Sequence, residues 1–203
     1  AAGAVKKLSE RYLRYKTYAG GYRGHSMTRN AETIVLWTGE ALKPNGKRYE
    51  EFRDSALESL RFRVFSPAPV YPGMEEFLLT RKLEEYRDEL GAEDPFVKAV
   101  LGGKEPAAVA AEALNGTKMG DPAFRKSLVE GGRKAVEASK DPLVQFVRRI
   151  EPFYREMRDW HQDEIESVTT SAGERIAKAR FAAYGKSAYP DATFTLRLAV
   201  GKA

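Results

Sequence analysis

The sequence predicts a mainly α-helical protein that ends in a single β-strand. Three observations predict this fold class: apolar residues recur at steps of three and four over most of the chain, several acidic residues directly precede a proline, and the pattern changes to strict alternation near the carboxyl terminus. We expect a multi-helix bundle of capped helices with one long C-terminal helix, followed by one strand without sheet partners of its own.

The composition limits the kinds of partner. The chain has 203 residues, a net charge of +5 and no cysteine, which excludes disulfides and thiol chemistry. Basic residues are mixed with acidic ones and form no long block, so we expect no nucleic-acid partner. No apolar run approaches the roughly 18 residues that a membrane span needs, so we expect no membrane partner either.

The first three helices are predicted from periodicity and capping. Residues 4–18 form the first, and its apolar stripe is typical of a face turned to a core. Asn30 is predicted to cap a second helix over residues 31–42, and a third covers residues 48–65. The stripe of the first helix consists of Val5, Leu8, Tyr12, Tyr15 and Tyr18. Because their connection is short, the second and third helices should pack as an antiparallel pair.

Prolines and glycines divide the middle of the chain. Residues 66–73 hold three prolines and read as a stiff, extended linker inside one domain, and the helix over 74–90 ends at Gly91. Beyond it, each acidic residue before a proline marks a helix start, because the proline loses no needed hydrogen bond and the carboxylate accepts from free N–H groups. These pairs are Asp94-Pro95, Glu105-Pro106, Asp121-Pro122, Asp141-Pro142 and Glu151-Pro152.

The carboxyl-terminal part combines the longest helix with the strand. The helix should run over residues 152–184 and end at Gly185. Within residues 189–203 the apolar positions alternate, as in a strand with one buried face. The alternating residues are Phe194, Leu196, Leu198 and Val200. Because one strand cannot satisfy its own backbone groups, we expect this chain to be a piece of a longer protein. In isolation the strand should pair with another copy, pack on the helices or be weakly ordered.

No constellation of catalytic or metal-binding residues stands out. The two histidines are His25, in a glycine-rich loop, and His161, three residues before Glu164 on one helix. A carboxylate metal site would need a second acid–histidine pair besides His161 and Glu164, and the sequence offers none. The segment Gly185-Lys186-Ser187 follows a helix and lacks the earlier glycine of a phosphate loop. The segment Asn115-Gly116-Thr117 is interpreted as a turn. We therefore assign no catalytic, cofactor-binding or metal-binding residue, and no cofactor.

Several segments together resemble one family. The stretch Y-P-D-A-T-F-T-L-R-L, from Tyr189 to Leu198, resembles the passage from the helical domain into the second β-barrel of serine peptidase family 46, the bacterial dipeptidyl-peptidases of types seven and eleven. The likeness extends over residues 41–203. The other segments that resemble the family, in the same order, are Ser66–Pro72, Leu90–Val97, Glu130–Gly132, Ala138–Pro142 and Ile176–Phe181.

The resemblance implies a fold and an activity. Residues 1–188 would be a helical cap domain, with the linker 66–73 inside it, inserted between two chymotrypsin-like β-barrels, and residues 189–203 would begin the second barrel. The family releases dipeptides from the free N-terminus of peptides, and its cap covers the active-site cleft. Its triad histidine, triad aspartate and G-N-S-G serine motif have no match in residues 1–203, so this chain alone is expected to be inactive.

The resemblance also implies partners and a location, and the change from helical to alternating pattern near residue 185 indicates a hinge. The partners would be the peptide N-terminus, the barrels of the same chain and a second copy in a homodimer, and the location would be periplasmic or secreted. Residues 185–190 would form the hinge to the barrels. Two alternatives stay open: a stand-alone helical module that pairs its C-terminal strand with a partner's sheet, and a small helical enzyme that uses an acid pair.

Overall fold

The computed structural model describes residues 2–19 and 26–185, and this part of the chain is mainly helical. The chain divides into two compact units, Ala1–Asp159 and Trp160–Ala203. The predicted domain boundary at residue 188 and the predicted strand lie outside the described residues. The helices are α1 (Ala2–Ala19), α2 (Ser26–Glu40), α3 (Leu57–Val64), α4 (Pro72–Leu90), α5 (Pro95–Leu101), α6 (Pro106–Leu114), α7 (Pro122–Ala138), α8 (Pro142–His161) and α9 (Ser167–Tyr184).

One hydrophobic core holds the first unit together. Helix α4 packs on α6, and α2 packs on α7. At the centre the Phe96 ring lies edge-on to Tyr86, with 5.0 Å between ring centroids, and the Tyr86 and Tyr154 hydroxyls form a hydrogen bond of 2.9 Å. Burial of large rings whose polar tips are paired is a strong stabilising element. Other fully buried core residues include Ala31, Val64, Leu79, Leu83, Val100, Ala110, Met119, Val136, Leu143, Val144, Val147 and Ile150.

Helix α2 begins earlier than the sequence predicted. Asn30 lies inside the helix and does not cap it. The buried carboxylate of Glu75, on α4, accepts the backbone N–H groups of Ser26 and Met27 instead, the latter at 3.2 Å. Free N–H groups at a helix start favour a negative charge, so this distant carboxylate replaces a local cap.

The predicted helix over residues 48–65 is wrong in its first half. The chain instead forms three short 3-10 turns, and only the segment Leu57–Val64 is α-helical. Between the turns, Tyr49 and Arg53 have extended backbone angles that interrupt the helix, and the Asn45 side chain accepts from the Asp54 N–H at 2.9 Å. Side-chain acceptors of this kind compete with helical hydrogen bonds. The turns are Asn45–Lys47, Glu50–Phe52 and Asp54–Ala56.

The aspartate–proline caps are confirmed. Asp94 accepts from the Phe96 N–H at 2.8 Å, and Asp121 accepts from the Ala123 N–H at 2.8 Å. Glu105 occupies the cap position of α6 but makes no capping hydrogen bond. Its side chain is one methylene longer than aspartate, which fits the poorer capping of glutamate.

The cap predicted at Glu151-Pro152 is wrong, and so is the predicted start of the longest helix there. Helix α8 begins at Pro142, is capped by Asp141 at the Leu143 N–H (3.0 Å), and continues through Pro152. An interior proline removes one helical hydrogen bond. Burial of the continuous apolar face of α8 stabilises the helix by more than the lost hydrogen bond costs. The position of the proline in the sequence does not reveal that burial.

Helix α7 bends at a glycine. Gly132 has φ 64° and ψ −158°, a backbone conformation that residues with a Cβ rarely adopt. A Cβ added at the preceding Gly131 would lie 2.5 Å from the Ala135 Cβ. The two glycines therefore permit a kink that no other residue pair would allow without strain.

A buried arginine fixes the linker after α3. The side chain of Arg125, on α7, donates to the carbonyl oxygens of Val64 (2.7 Å), Ser66 (2.6 Å) and Met119 (2.6 Å). Burial lowers the pKa of this guanidinium. The extended linker predicted over 66–73 is thus held at its first residues, and α4 starts at Pro72.

The second unit contains a π-turn and a helix with exposed side chains. The π-turn spans Gln162–Glu166, α9 follows directly, and Gly185 ends it with φ 57°. All side chains of α9 are exposed, including the large apolar ones. Among these are Val168, Ile176 and Phe181.

Candidate functional site

The most concentrated group of interacting charges in the described residues lies in the first unit. It joins the end of α2, the 3-10 turns and the third to fifth turns of α8. We call it the charge cluster. Its members are Glu40, Tyr49, Glu51, Glu151, Arg155, Arg158 and Asp159.

Glu40 is the buried anion of the charge cluster. Its carboxylate has no exposed surface and accepts from Arg155 Nη1 (2.6 Å), from Lys43 Nζ (2.6 Å) and from the Tyr49 N–H (3.0 Å). Arg155 Nε also donates to Glu151 Oε1 at 2.7 Å. Three donors on Glu40 and two acceptors on Arg155 satisfy the buried charges, which unpaired would be costly.

Tyr49 links the 3-10 turns to α8 by its ring and its hydroxyl. Arg158 Cζ lies 3.7 Å from the ring centroid, and the hydroxyl donates to Asp159. Arg158 also donates to both carboxylate oxygens of Glu51, at 2.6 and 2.8 Å. A planar guanidinium can stack on a ring and hold a carboxylate with two parallel bonds, which a lysine cannot do.

The electrostatics of the charge cluster favour the charged forms of Glu40 and Glu51 and the neutral form of Tyr49. Burial alone would raise the pKa of Glu40, but hydrogen bonds from Lys43, Arg155 and the Tyr49 N–H outweigh it and lower the pKa. The same balance, with Arg158 as donor, lowers the pKa of Glu51. Burial, then the bond to Asp159, raises the pKa of the Tyr49 hydroxyl. At neutral pH the two carboxylates are therefore ionised and paired with guanidinium groups, and the tyrosine keeps its proton. None of the three is poised to transfer a proton.

Glu32 differs from the other carboxylates near the charge cluster. It lies on α2, two helical turns before Glu40, and makes no hydrogen bond to any described residue. Burial raises its pKa to about 7, opposed only in part by the charge of Arg158. Its ionisation therefore changes within the physiological pH range, which is uncommon for a glutamate.

The chemistry available to this site is binding and positioning. A carboxylate–guanidinium network with an engaged tyrosine holds two segments in register, and it offers no serine or other nucleophile paired with a base. No group of three histidines, cysteines or acidic residues able to hold a metal ion lies among the described residues.

The residues weighed from the sequence lie elsewhere. His161 Nδ1 is 3.2 Å from Glu166 Oε1, five residues on, and not beside Glu164. Hydrogen bonds from i to i+5 widen a π-turn, so the fifth residue replaces the third or fourth as neighbour. His25 and the segment from residue 186 lie outside the described part. Asn115 follows the end of α6, and Gly116 has φ 74°, as a turn requires.

Sequence reasoning missed the charge cluster because its members are far apart in the chain. Arg155 and Glu40 are separated by 115 positions, and Arg158 and Glu51 by 107. One local signal exists: Glu151, Arg155 and Arg158 follow helical steps of four and three and place charges along one face of α8.

The fold and the site define a mainly helical domain braced by ion pairs around the buried carboxylate of Glu40. No helix in the described part of the chain is long and apolar enough to cross a membrane. A family model described as Peptidase S46 matches residues 2–203. The chain belongs to the peptidase S46 family, as the resemblance indicated, and is a peptidase-related domain.

Proposed function

We propose that this chain is the helical cap of a serine-type dipeptidyl-peptidase, the part that covers the active-site cleft while the barrels of the same enzyme supply the catalytic groups. The observation that carries the proposal is the family match over residues 2–203 of a chain that is mainly helical in its described part. An exopeptidase needs a steric block that admits a chain end and excludes internal segments. A braced bundle suits that task better than a loop does.

The charge cluster supports this role through rigidity. Four hydrogen bonds fasten α8 to α2 and to the 3-10 turns. Two more join Glu40, at the end of α2, to Lys43 and to the Tyr49 N–H. A cover over a cleft must keep its shape when substrate binds. Cross-links between segments over 100 positions apart provide that stiffness.

Exposed apolar residues on α9 support the barrels as partners. Val168, Ile176 and Phe181 are 60%, 62% and 64% exposed. Apolar side chains along one exposed helix are typical of a surface that another domain covers. The peptide N-terminus, a homodimer and a periplasmic or secreted location complete the proposal, as the family implies.

The test compares the 203-residue chain with an intact peptidase that contains it. Both are assayed with a fluorogenic dipeptidyl reporter, once with a free amino group and once N-acetylated. We expect the intact enzyme to hydrolyse only the free-amine reporter, and the 203-residue chain to hydrolyse neither. Turnover by the chain alone, or equal turnover of the acetylated reporter by the intact enzyme, would rule the proposal out.

A further inference from the structure

A cavity lies beside the kink of α7, and neither the charge cluster nor the cap proposal uses it. Its volume is about 460 Å³, within the range of small-molecule sites. Phe124 and Leu128, before the kink, and Ala135 and Ala138, after it, line its apolar wall. Because α7 bends at Gly132, both arms of the helix contribute to one concave surface.

The acidic side chain in the cavity wall is already satisfied. Asp141 Oδ1 accepts from the Leu143 N–H (3.0 Å) and the Val144 N–H (3.1 Å), and Oδ2 accepts from the Lys118 N–H (2.7 Å). The Thr117 hydroxyl lies within hydrogen-bond distance of both oxygens, at 2.9 and 3.1 Å. Asp141 therefore offers little to a cationic ligand.

The remaining polar side chains of the wall are donors. Lys118 and Lys140 line the cavity, and neither ammonium group forms an ion pair or hydrogen bond with any residue in the described ranges. Ser139 also lines it; its oxygen accepts from the Asp141 N–H at 3.2 Å, which leaves the hydroxyl proton to donate. Two cations and a hydroxyl beside an apolar wall complement a ligand with one anionic end.

We propose that this cavity binds a monocarboxylic acid with an apolar body. The carboxylate lies at Lys118 and Lys140, and the apolar body contacts Phe124 and Leu128. A dicarboxylate or phosphate would leave the apolar wall uncovered, and an amine would meet two like charges. Such an acid can come from a lipid, as a fatty acid, or from a peptide, as a free carboxyl end.

Titration calorimetry on the 203-residue chain at pH 7 tests this site. The probes are octanoate for the lipid source and N-acetyl-leucyl-phenylalanine for the peptide source, with octanol and octylamine as uncharged and cationic controls. We expect saturable binding of at least one acid with Kd below about 1 mM, and no binding of either control. Which acid binds identifies the source.

Two variants locate the bound acid. Lys118→Gln with Lys140→Gln removes both charges and should weaken binding by about tenfold or more. Ala138→Phe, at an exposed position of the wall, keeps the charges and fills the cavity, and should also abolish binding. The matched control is Lys7→Gln with Lys178→Gln, which removes two exposed charges outside the cavity and should not change Kd. Absence of saturable binding, or a loss in only one of the two cavity variants, would overturn the proposal.

Discussion

Glu40 is the residue on which the charge cluster depends most. Its buried carboxylate accepts from two cations and one backbone N–H, and of these three donors only Arg155 has a second acceptor among the described residues, Glu151. We expect Glu40→Gln to lower the free energy of unfolding by about 3 kcal/mol at pH 7, since breaking one side of a buried pair leaves a charge uncompensated. Urea denaturation of the two proteins measures the difference.

The pH dependence of the Glu40 effect has a defined sign. The folded pKa of Glu40 is lowered, so its stabilisation is fully present above the ordinary pKa of about 4.5 and is lost as the pH falls through the folded value. The difference between wild type and Glu40→Gln should therefore shrink below pH 4.5. Glu50→Gln, at an exposed neighbouring position, is the control and should have little effect. A Glu40→Gln protein as stable as wild type at pH 7 would contradict a structural role for the cluster.

The contribution of Glu32 to stability should change with pH in the direction opposite to that of Glu40. Its folded pKa is raised from about 4.5 to about 7, so the unfolded chain loses its proton first as the pH rises. Stability contributed at low pH is lost between pH 4.5 and 7, by about 3 kcal/mol. Glu32→Gln should abolish that part of the decline. The stability of the variant relative to the wild type should therefore be higher at pH 8 than at pH 4.

Denaturation curves at several pH values measure this effect. The matched control is Glu58→Gln, at an exposed position on α3, which should keep the pH profile of the wild type. An identical slope between pH 4.5 and 7 in wild type and Glu32→Gln would show that Glu32 titrates normally.

At the scale of single elements, α8 carries a proline that its packing overrides. Pro152 is exposed and lies inside the helix, where it removes a hydrogen bond that an alanine would make. We expect Pro152→Ala to raise the free energy of unfolding by about 2 kcal/mol, after allowance for the greater freedom of the unfolded alanine chain. Thermal and urea denaturation of the variant and the wild type measure this difference. A less stable variant would contradict the prediction and mean that the proline stabilises the conformation of α8.

The kink of α7 yields a prediction of opposite sign. At φ 64° an alanine is strained, so Gly132→Ala should destabilise the protein by about 2 kcal/mol. Gly73→Ala is the control: that glycine lies in the first turn of α4, with open space around the added methyl group, and should be neutral or slightly stabilising. Equal stability of both variants would indicate that α7 straightens without cost.

Local chemistry explains which elements the sequence could predict. The caps at Asp94, Asp121 and Asp141 need only the aspartate and the next two or three residues, so proximity in the chain reveals them. The start of α2 depends on Glu75, 49 positions from Ser26, and no window around Asn30 contains that information. The continuation of α8 through Pro152 could not be predicted for the same reason, because tertiary packing stabilises it.

The charge cluster could not be predicted from the sequence because it, too, depends on residues that are distant in the chain. A glutamate at the end of one helix and an arginine in another read separately as solvated surface charges. Only the fold shows that Glu40 is buried and that Arg158 stacks on Tyr49. Family-level resemblance, carried by short segments such as Glu130–Gly132, did predict the family, which the match over residues 2–203 confirms.

At the scale of the whole molecule, the braced unit and the exposed helix α9 suggest separate tasks. The first unit, Ala1–Asp159, contains the core and the charge cluster, and in the proposed function it would be the cover. The second, Trp160–Ala203, carries exposed apolar side chains on α9, which in the proposed function would contact the barrels. The proposed function therefore assigns shape to the first unit and domain contact to the second.

The most direct measurement is the selectivity of the intact peptidase when its cover is loosened. The ratio of kcat/KM for a free-amine peptide to that for its N-acetylated form is determined for wild type and for Glu40→Gln, with hydrogen exchange to verify that α2 and α8 have become more mobile. If the helical domain enforces access for chain ends, the ratio should fall at least several-fold as internal or blocked chains gain entry. An unchanged ratio in a demonstrably loosened domain would contradict the cap function.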